Sequence, residues 1–245
     1  MHRRARHLNP RTAGASLVLD ARYINQANNT ALDTWPDISG NGNNASRFST
    51  APTFKTEQQG GQPVVSFIGQ GGMTCTSGLG GSTSQITIIA SLKSFNYNGN
   101  AGGGGGIISQ GAASAFTEDF LLGRTSTVFF YEFDSGANGS GQLSAPGSGN
   151  QIQTVLYNGG GAANADRLRF FFNGVSQTLT YDYTVPASIN PTGGYNIAQY
   201  AGAQSAAWFM NGDMCSLFLI KAAINESLRK RLEQSQAFSF KLICS

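Results

Sequence analysis

The sequence predicts an all-β fold, a sandwich or barrel of antiparallel strands with one short helix near its end. Three observations carry that prediction. About ten to twelve short strand-like segments follow one another, each bounded by turn residues, and one segment alone has helical spacing. Glycine accounts for 32 of 245 residues, close to twice the usual ~7 %, as a chain with many tight turns requires. Charged residues are 12 % against a usual ~25 %, which suits a polar, uncharged surface packed among other proteins or facing the outside of a cell.

Residues 1–15, MHRRARHLNPRTAGA, are basic and polar, and Pro10 and Gly14 end them, so they read as an arm ahead of a domain spanning 16–245. Arg3, Arg4, Arg6 and Arg11 are its candidate partner-binding residues. A first strand is expected over 16–22 (SLVLDAR). The cluster WPDISGNGNNA at 35–45 then predicts several bends in a row. Asp37 and Ser39 can accept bonds from the backbone ahead of them, Gly40 and Gly42 permit positive φ, and the asparagines tolerate it.

The second strand is expected over 63–68 (PVVSFI) and a longer one over 86–95 (ITIIASLKSF). Residues 99–106 (GNAGGGGG) interrupt and read as a flexible loop tip, because glycine runs have the most backbone entropy to lose. Further strands are expected over 106–110, 120–123, 127–133, 152–158, 167–173, 177–183, 195–199 and 214–220. Asn-Gly pairs at 158–159, 173–174 and 211–212 read as turns, and the pair at 173–174 predicts a hairpin with a primed turn. A helix is expected over 225–236, capped by Asn225, with Leu228 and Leu232 four apart and facing the sheet.

The net charge of +3 is segregated. Residues 1–11 carry four arginines and no acid, and residues 221–245 carry five basic against two acidic residues. The 12–220 body is left with 7 basic and 11 acidic residues, a balance of −4. Cys75, Cys215 and Cys244 lie far apart without a C-x-x-C spacing, so they predict buried thiols rather than a zinc site or a disulfide framework. The longest apolar run, near 86–92, falls short of the ~18 residues of a membrane span. The arginines of the arm are not followed by a signal-type apolar stretch, so the expectation is cytoplasmic synthesis without a signal peptide.

Several of these pieces resemble one family. PRTAGASLVLDA, WPDISGNGNNAS, APTF followed by GGQPVVSFIGQGGM, and FMNGDMCSLFLIKAAINESLRKRLEQ occur in the order seen in laminin-G-like domains of the concanavalin A-like lectin/glucanase superfamily. The resemblance spans about 16–240 and is weakest in the middle third. It implies a two-sheet antiparallel jelly-roll sandwich, and its style is similar to bacterial and bacteriophage members, including modules on virion surfaces. Fold alone does not assign function.

The residue inventory disfavours an enzyme. The two histidines, His2 and His7, lie in the arm, so the body holds neither a Ser-His-Asp triad nor a histidine-ligated metal. Glu132 and Asp134 share one strand parity and partly match the superfamily's E-x-D-x-x-E glucanase signature, but Ala137 stands where the second catalytic glutamate belongs. The resemblance admits calcium, for which Asp37, Asn41 and Asn43 would supply hard oxygen ligands; no other cofactor is expected. Tyr97, Tyr195, Tyr200 and Trp208, near loops rich in amides and glycine, are the candidate glycan-stacking residues.

The expectation is therefore a non-enzymatic structural or interaction module. It would sit in multiple copies on a bacteriophage virion surface or extracellular assembly, as a capsid decoration or tail-associated protein docked through its basic arm. The partners expected are other virion or assembly proteins, with nucleic acid disfavoured and no membrane. The alternative is a lectin-like module for host or environmental glycans.

Overall fold

The computed structural model describes residues 14–69, 71–97, 105–112, 117–125, 127–133, 139–144, 149–200 and 209–241. Eighteen strands run through them. The first seven are β1 (Ala15–Asp20), β2 (Thr30–Ala31), β3 (Thr34–Trp35), β4 (Ala45–Arg47), β5 (Thr53–Gln59), β6 (Gln62–Phe67) and β7 (Met73–Thr74). Next come β8 (Gln85–Tyr97), β9 (Gly105–Ala112), β10 (Thr117–Arg124), β11 (Val128–Phe133), β12 (Gly139–Ser144) and β13 (Gln151–Asn158). The last are β14 (Leu168–Phe172), β15 (Val175–Gln177), β16 (Thr180–Tyr181), β17 (Tyr195–Ile197) and β18 (Met210–Ile220). A single helical turn, α1 (Asn164–Arg167), precedes β14, and a longer helix, α2 (Glu226–Phe240), follows β18.

The strands form two antiparallel sheets of nine, the sandwich that the sequence predicts. The first has the order β15-β14-β13-β8-β18-β6-β5-β2. Its centre is the long pair β8 and β18, and the far side of β18 is shared end to end. There β6 pairs opposite residues 212–214 and β1 opposite residues 216–220. The second sheet has the order β16-β12-β11-β10-β9-β17-β7-β4-β3.

Alternation along each strand places one face between the sheets. There Leu17, Trp35, Phe67, Ile88, Phe120, Phe129, Tyr131, Phe133 and Phe170 are buried in one core. Tyr131 stacks on Phe170 with ring centroids 4.5 Å apart, and Phe133 on Tyr157 at the same separation. A second cluster occupies the opposite face of the first sheet, where Val18, Ile89, Ile152 and Phe218 meet Leu232, Ala237 and Phe240 of α2. This is why β8 reads as a nearly continuous apolar run: it is covered on both faces.

The α2 cap is as expected, the Asn225 Oδ1 accepting from the Leu228 N–H at 2.9 Å. The helix runs to Phe240, past the expected end at 236, because Ala237 and Phe240 prolong the buried stripe. Asn173 and Gly174 form the expected hairpin turn between β14 and β15, with φ of 48° and 85°, as a primed turn demands.

Four expectations are corrected. Asn211-Gly212 is not a turn but lies inside β18, paired with both β8 and β6 and accommodated by a bulge, with Gly212 at φ 149°. Of the glycine run, 99–104 lie outside the described residues, while Gly105 and Gly106 belong to β9. A Cβ on Gly106 would come within 2.6 Å of the Gln199 carbonyl oxygen, so glycine there permits a close backbone approach. The strand expected over 177–183 is two strands in different sheets, β15 and β16, with Leu179 buried in the core between them. Short strands β2, β3, β4 and β7, together with β5 and β12, escape sequence reading because they carry little apolar alternation.

Candidate functional site

The 35–45 loop is a hydrogen-bonded lock on the first strand. The Asp37 Oδ1 accepts from the backbone N–H groups of Val18 (3.0 Å) and Ser39 (2.9 Å). Its Oδ2 accepts from the Ser39 hydroxyl (2.7 Å) and the Asn43 N–H (3.0 Å). Asn41 donates its amide to the carbonyls of Ala15 and Ser16, and Asn43 donates to Ser16 as well. Gly40 and Gly42 take φ of 99° and 74°.

Asp37, Asn41 and Asn43 do not fit a calcium ligand set. An ionised carboxylate offers about four lone-pair positions, and all four here face protein donors. A cation would have to displace one of them. Among the described residues no three His, Cys, Asp or Glu side chains gather into a metal-holding group.

The four candidate glycan aromatics part company. Tyr195 is a core residue at 0 % exposure, its phenol pushed up by burial, so it is not available to a ligand at the surface. Its ring packs between the sheets because β17 pairs with β9 and β7 on both sides. Trp208 lies outside the described residues, as do Arg3, Arg4, Arg6 and Arg11 of the arm. Tyr97 ends β8, and of its backbone the pairing with Met210 is described. Tyr200 reaches the outer face of the second sheet. Ala198, at φ 58°, breaks the alternation that began at Tyr195, and the bridge from Gln199 to Phe209 follows it.

On that outer face Tyr200 joins Leu121, Phe130 and Phe209 in a small apolar cluster. Along β11, Phe129, Tyr131 and Phe133 point into the core, so Val128, Phe130 and Glu132 point out. Phe130 stands opposite Gly123 of β10 and Gln142 of β12. A Cβ on Gly123 would meet the end of the Phe130 ring at 2.7 Å, so the ring packs down onto the glycine and is itself 8 % exposed. Thr125, Val128, Phe130, Glu132, Gln142 and Tyr200 together line a groove of about 280 Å³. That volume falls just below the ~300–1,000 Å³ usual for small-ligand pockets.

The polar rim is tied down. Asp182, just after β16, accepts hydrogen bonds from the Gln142 amide and, at 3.3 Å, from the Ser140 hydroxyl. Thr125 closes the turn between β10 and β11, its hydroxyl accepting from the N–H groups of Thr127 and Val128. Arg124 directs its guanidinium over the Phe129 ring at 5.4 Å, on the core side of the sheet. Glu132 was singled out in the sequence for its spacing from Asp134; Asp134 and Ala137 lie outside the described residues. Phe130, Gln142, Thr125 and Asp182 were missed. The outward parity of Phe130 against Phe129 and Tyr131 was the available signal, whereas Gln142 and Asp182 become neighbours through the β12–β16 pairing alone.

No protein-family model matches the sequence, and no curated protein matches it significantly. Solved structures do match. The binding domain of botulinum neurotoxin serotype G superposes with a TM-score of 0.65 at 12 % identity, over 91 % of this chain and 51 % of that one. The binding domain of Paraclostridial Mosquitocidal Protein 1 gives 0.63 at 11 % identity, over 93 % and 53 %. Trypanosoma rangeli sialidase gives 0.55 at 11 % identity, over 95 % and 34 %. The chain thus spans about half the length of the toxin domains it matches, and the likeness is one of fold: a two-sheet β-sandwich.

Proposed function

We propose that the chain is a non-catalytic binding module, laminin-G-like in its details, that receives a glycan in the groove on the outer face of its second sheet. The observation that carries this reading is the groove itself, floored by Phe130 over Gly123 and bordered by Tyr200, Glu132 and Gln142. A flat apolar surface beside fixed polar groups suits a sugar ring, which has one C–H face and a rim of hydroxyls. The fold it shares with toxin binding domains supports a binding role. Ala137, in place of the second glutamate of the glucanase signature, supports a non-catalytic one.

The test is a glycan array followed by calorimetric titration of the strongest hit. Tyr200→Ala should weaken that hit at least about tenfold, the scale of losing one stacking contact in a partly desolvated site. An array without hits, or a hit indifferent to Tyr200→Ala, overturns the reading.

The placement of the module on a larger assembly, a bacteriophage particle in the reading the resemblance favours, is the second half of the proposal. One observation favours it. The described chain begins beside Ile220, the residue paired with Ala15, and α2 with its exposed Lys230 and Arg231 covers the same sheet. The face that α2 covers lies opposite the groove, so docking there leaves the groove facing out. Deleting residues 1–13 should abolish incorporation into the assembly and leave glycan binding intact; undiminished incorporation refutes it.

A further inference from the structure

The helix α2 covers the outer face of the first sheet with a stripe that is more polar than apolar. Its buried residues are Arg229, Leu232, Glu233, Gln236, Ala237, Ser239 and Phe240, which helical spacing lines up along one side. The sheet beneath presents polar groups of its own. Ser216 of β18 lies beside Ser91 of β8 and donates its hydroxyl to the Gln236 amide oxygen at 2.7 Å. Thr154 of β13 lies between Ile89 and Phe171, the ring that carries the Arg229 guanidinium. The seam is incompletely paired. The Ser91 Oγ, Thr154 Oγ1, Arg229 Nε and Glu233 Oε1 are buried and have no hydrogen-bond partner among the described residues. Water satisfies all four once the seam opens, so closing it over them, and over the buried Arg229–Glu233 pair, contributes little to stability.

The topology makes α2 separable. It follows the last strand, so no strand pairing runs through it, and the sheet beneath is held from behind by the core between the sheets. The connection into the helix is pinned to the sandwich. Lys221 donates its ammonium to the carbonyls of Leu79 and Gly80, and the Thr87 hydroxyl donates to the Ala222 carbonyl and accepts from the Ile224 N–H. At the far end the contacts run through side chains, with the Arg22 guanidinium over the Phe240 ring at 5.0 Å. A fixed connection leading into a weakly held helix is a hinge. We infer that α2 is a detachable strap, which swings out as one unit just beyond Ile224 while the two-sheet sandwich stays folded. Its departure uncovers Val18, Ile89, Ile152, Phe171 and Phe218, and with them the Cys215 thiol. Cooperative opening of one element ahead of the whole draws on the part with the least net packing. This inference is independent of the glycan reading.

Two buried thiols report on the two layers, Cys215 in the cluster that α2 closes and Cys75 in the core between the sheets. The experiment treats the full chain with a thiol reagent in urea held below the global unfolding transition, and follows backbone hydrogen exchange by mass spectrometry in the same urea. Relative to its rate in the unfolded chain, Cys215 should label at least about tenfold faster than Cys75. The amides of 230–240 should exchange together, with the opening constant that Cys215 reports and at least about tenfold faster than those of β8 and β13. Arg229→Leu combined with Glu233→Met should slow both processes, because an apolar seam holds the helix more firmly than a buried ion pair. Equal labelling of the two thiols, or α2 amides as protected as those of β8, overturns the strap. Exchange that creeps back from Phe240 while Cys215 stays protected is fraying and overturns opening as a unit. A folded double variant that opens as fast as the wild type overturns the role given to the polar seam. The wild-type comparison needs no variant, so a misfolded double variant does not protect the inference.

Discussion

Asp37→Ala should destabilise the protein by about 3–4 kcal/mol. The substitution removes the acceptor of three backbone N–H groups and one hydroxyl. These are not equivalent. The Val18 amide belongs to a residue with no exposed surface, so water does not replace Asp37, and an orphaned buried donor costs about 1–3 kcal/mol. The half-exposed Ser39 amide loses about 0.5–1 kcal/mol, the Asn43 amide, on a residue 8 % exposed, about 1 kcal/mol, and the Ser39 hydroxyl rotates to solvent. Asp37→Asn keeps one oxygen for Val18 and Ser39 but turns an NH₂ toward Asn43, so it should cost about half as much. For a chain of this size each kcal/mol moves the melting temperature by about 2–4 °C, which predicts a drop near 10 °C for alanine. Thermal and urea unfolding followed by circular dichroism reads both. A loss below about 1 kcal/mol for alanine, or an asparagine variant as unstable as alanine, refutes the reasoning. So does a calcium-induced rise in melting temperature that vanishes in Asp37→Ala, because it would make the loop a metal site rather than a lock.

The remaining predictions concern α2 and the thiols. Arg229 and Glu233 form an almost wholly buried pair at 2.5 Å, with the Arg229 guanidinium stacked on Phe171 at 3.7 Å. Glu233→Ala should cost about 3–5 kcal/mol by leaving a buried charge, whereas Arg229→Leu combined with Glu233→Met should cost less than that single change; chemical denaturation that shows additive losses contradicts this. The Glu226 carboxyl is held below its ordinary value of 4.5 by the hydrogen bond from Lys230 and by its charge. A depressed folded value means that the pair's contribution is complete above the unfolded value and fades as pH falls through the folded one. An NMR titration should find the Glu226 midpoint below 4.5 and moving up in Lys230→Ala. Burial pushes the Cys75 thiol up to about 12, the nearby Asp37 adding to it, and Cys215 is raised by burial first and Asp213 next. Mass mapping after treatment with a thiol reagent at mildly alkaline pH should find both unlabelled in the native protein and labelled in denaturant; native labelling of either contradicts their burial.

Local chemistry is where the sequence was legible. Asn225 before an acidic first turn, Asn173-Gly174 between alternating segments, and Asp37 among glycines each owe their conformation to bonds within a few residues, and each is found as expected. Asn211-Gly212 has the same local signature as Asn173-Gly174 and folds differently. Its strand has partners on both sides, and the ladder bonds they supply outweigh a two-residue turn preference. The candidate site was legible only in part. Glu132 and Tyr200 were singled out, but Tyr195, with the same chemistry and a similar setting, proves to be core.

The sequence by itself determined the sandwich class, the loop that locks β1, the capped helix and the lack of histidine chemistry in the body, because composition, periodicity and short-range bonding are written locally. The tertiary structure alone decided on which face of a sheet each aromatic ring packs. In a strand the side-chain period is two, so one residue out of step exchanges core for surface. The left-handed Ala198 between Tyr195 and Tyr200 is such a step, and its effect depends on β17 pairing with β9 and β7. The groove follows the same logic. Thr125, Glu132, Gln142 and Tyr200 are separated along the chain and share a site because antiparallel pairing sets β10, β11 and β12 side by side. That adjacency is a long-range choice no local pattern encodes.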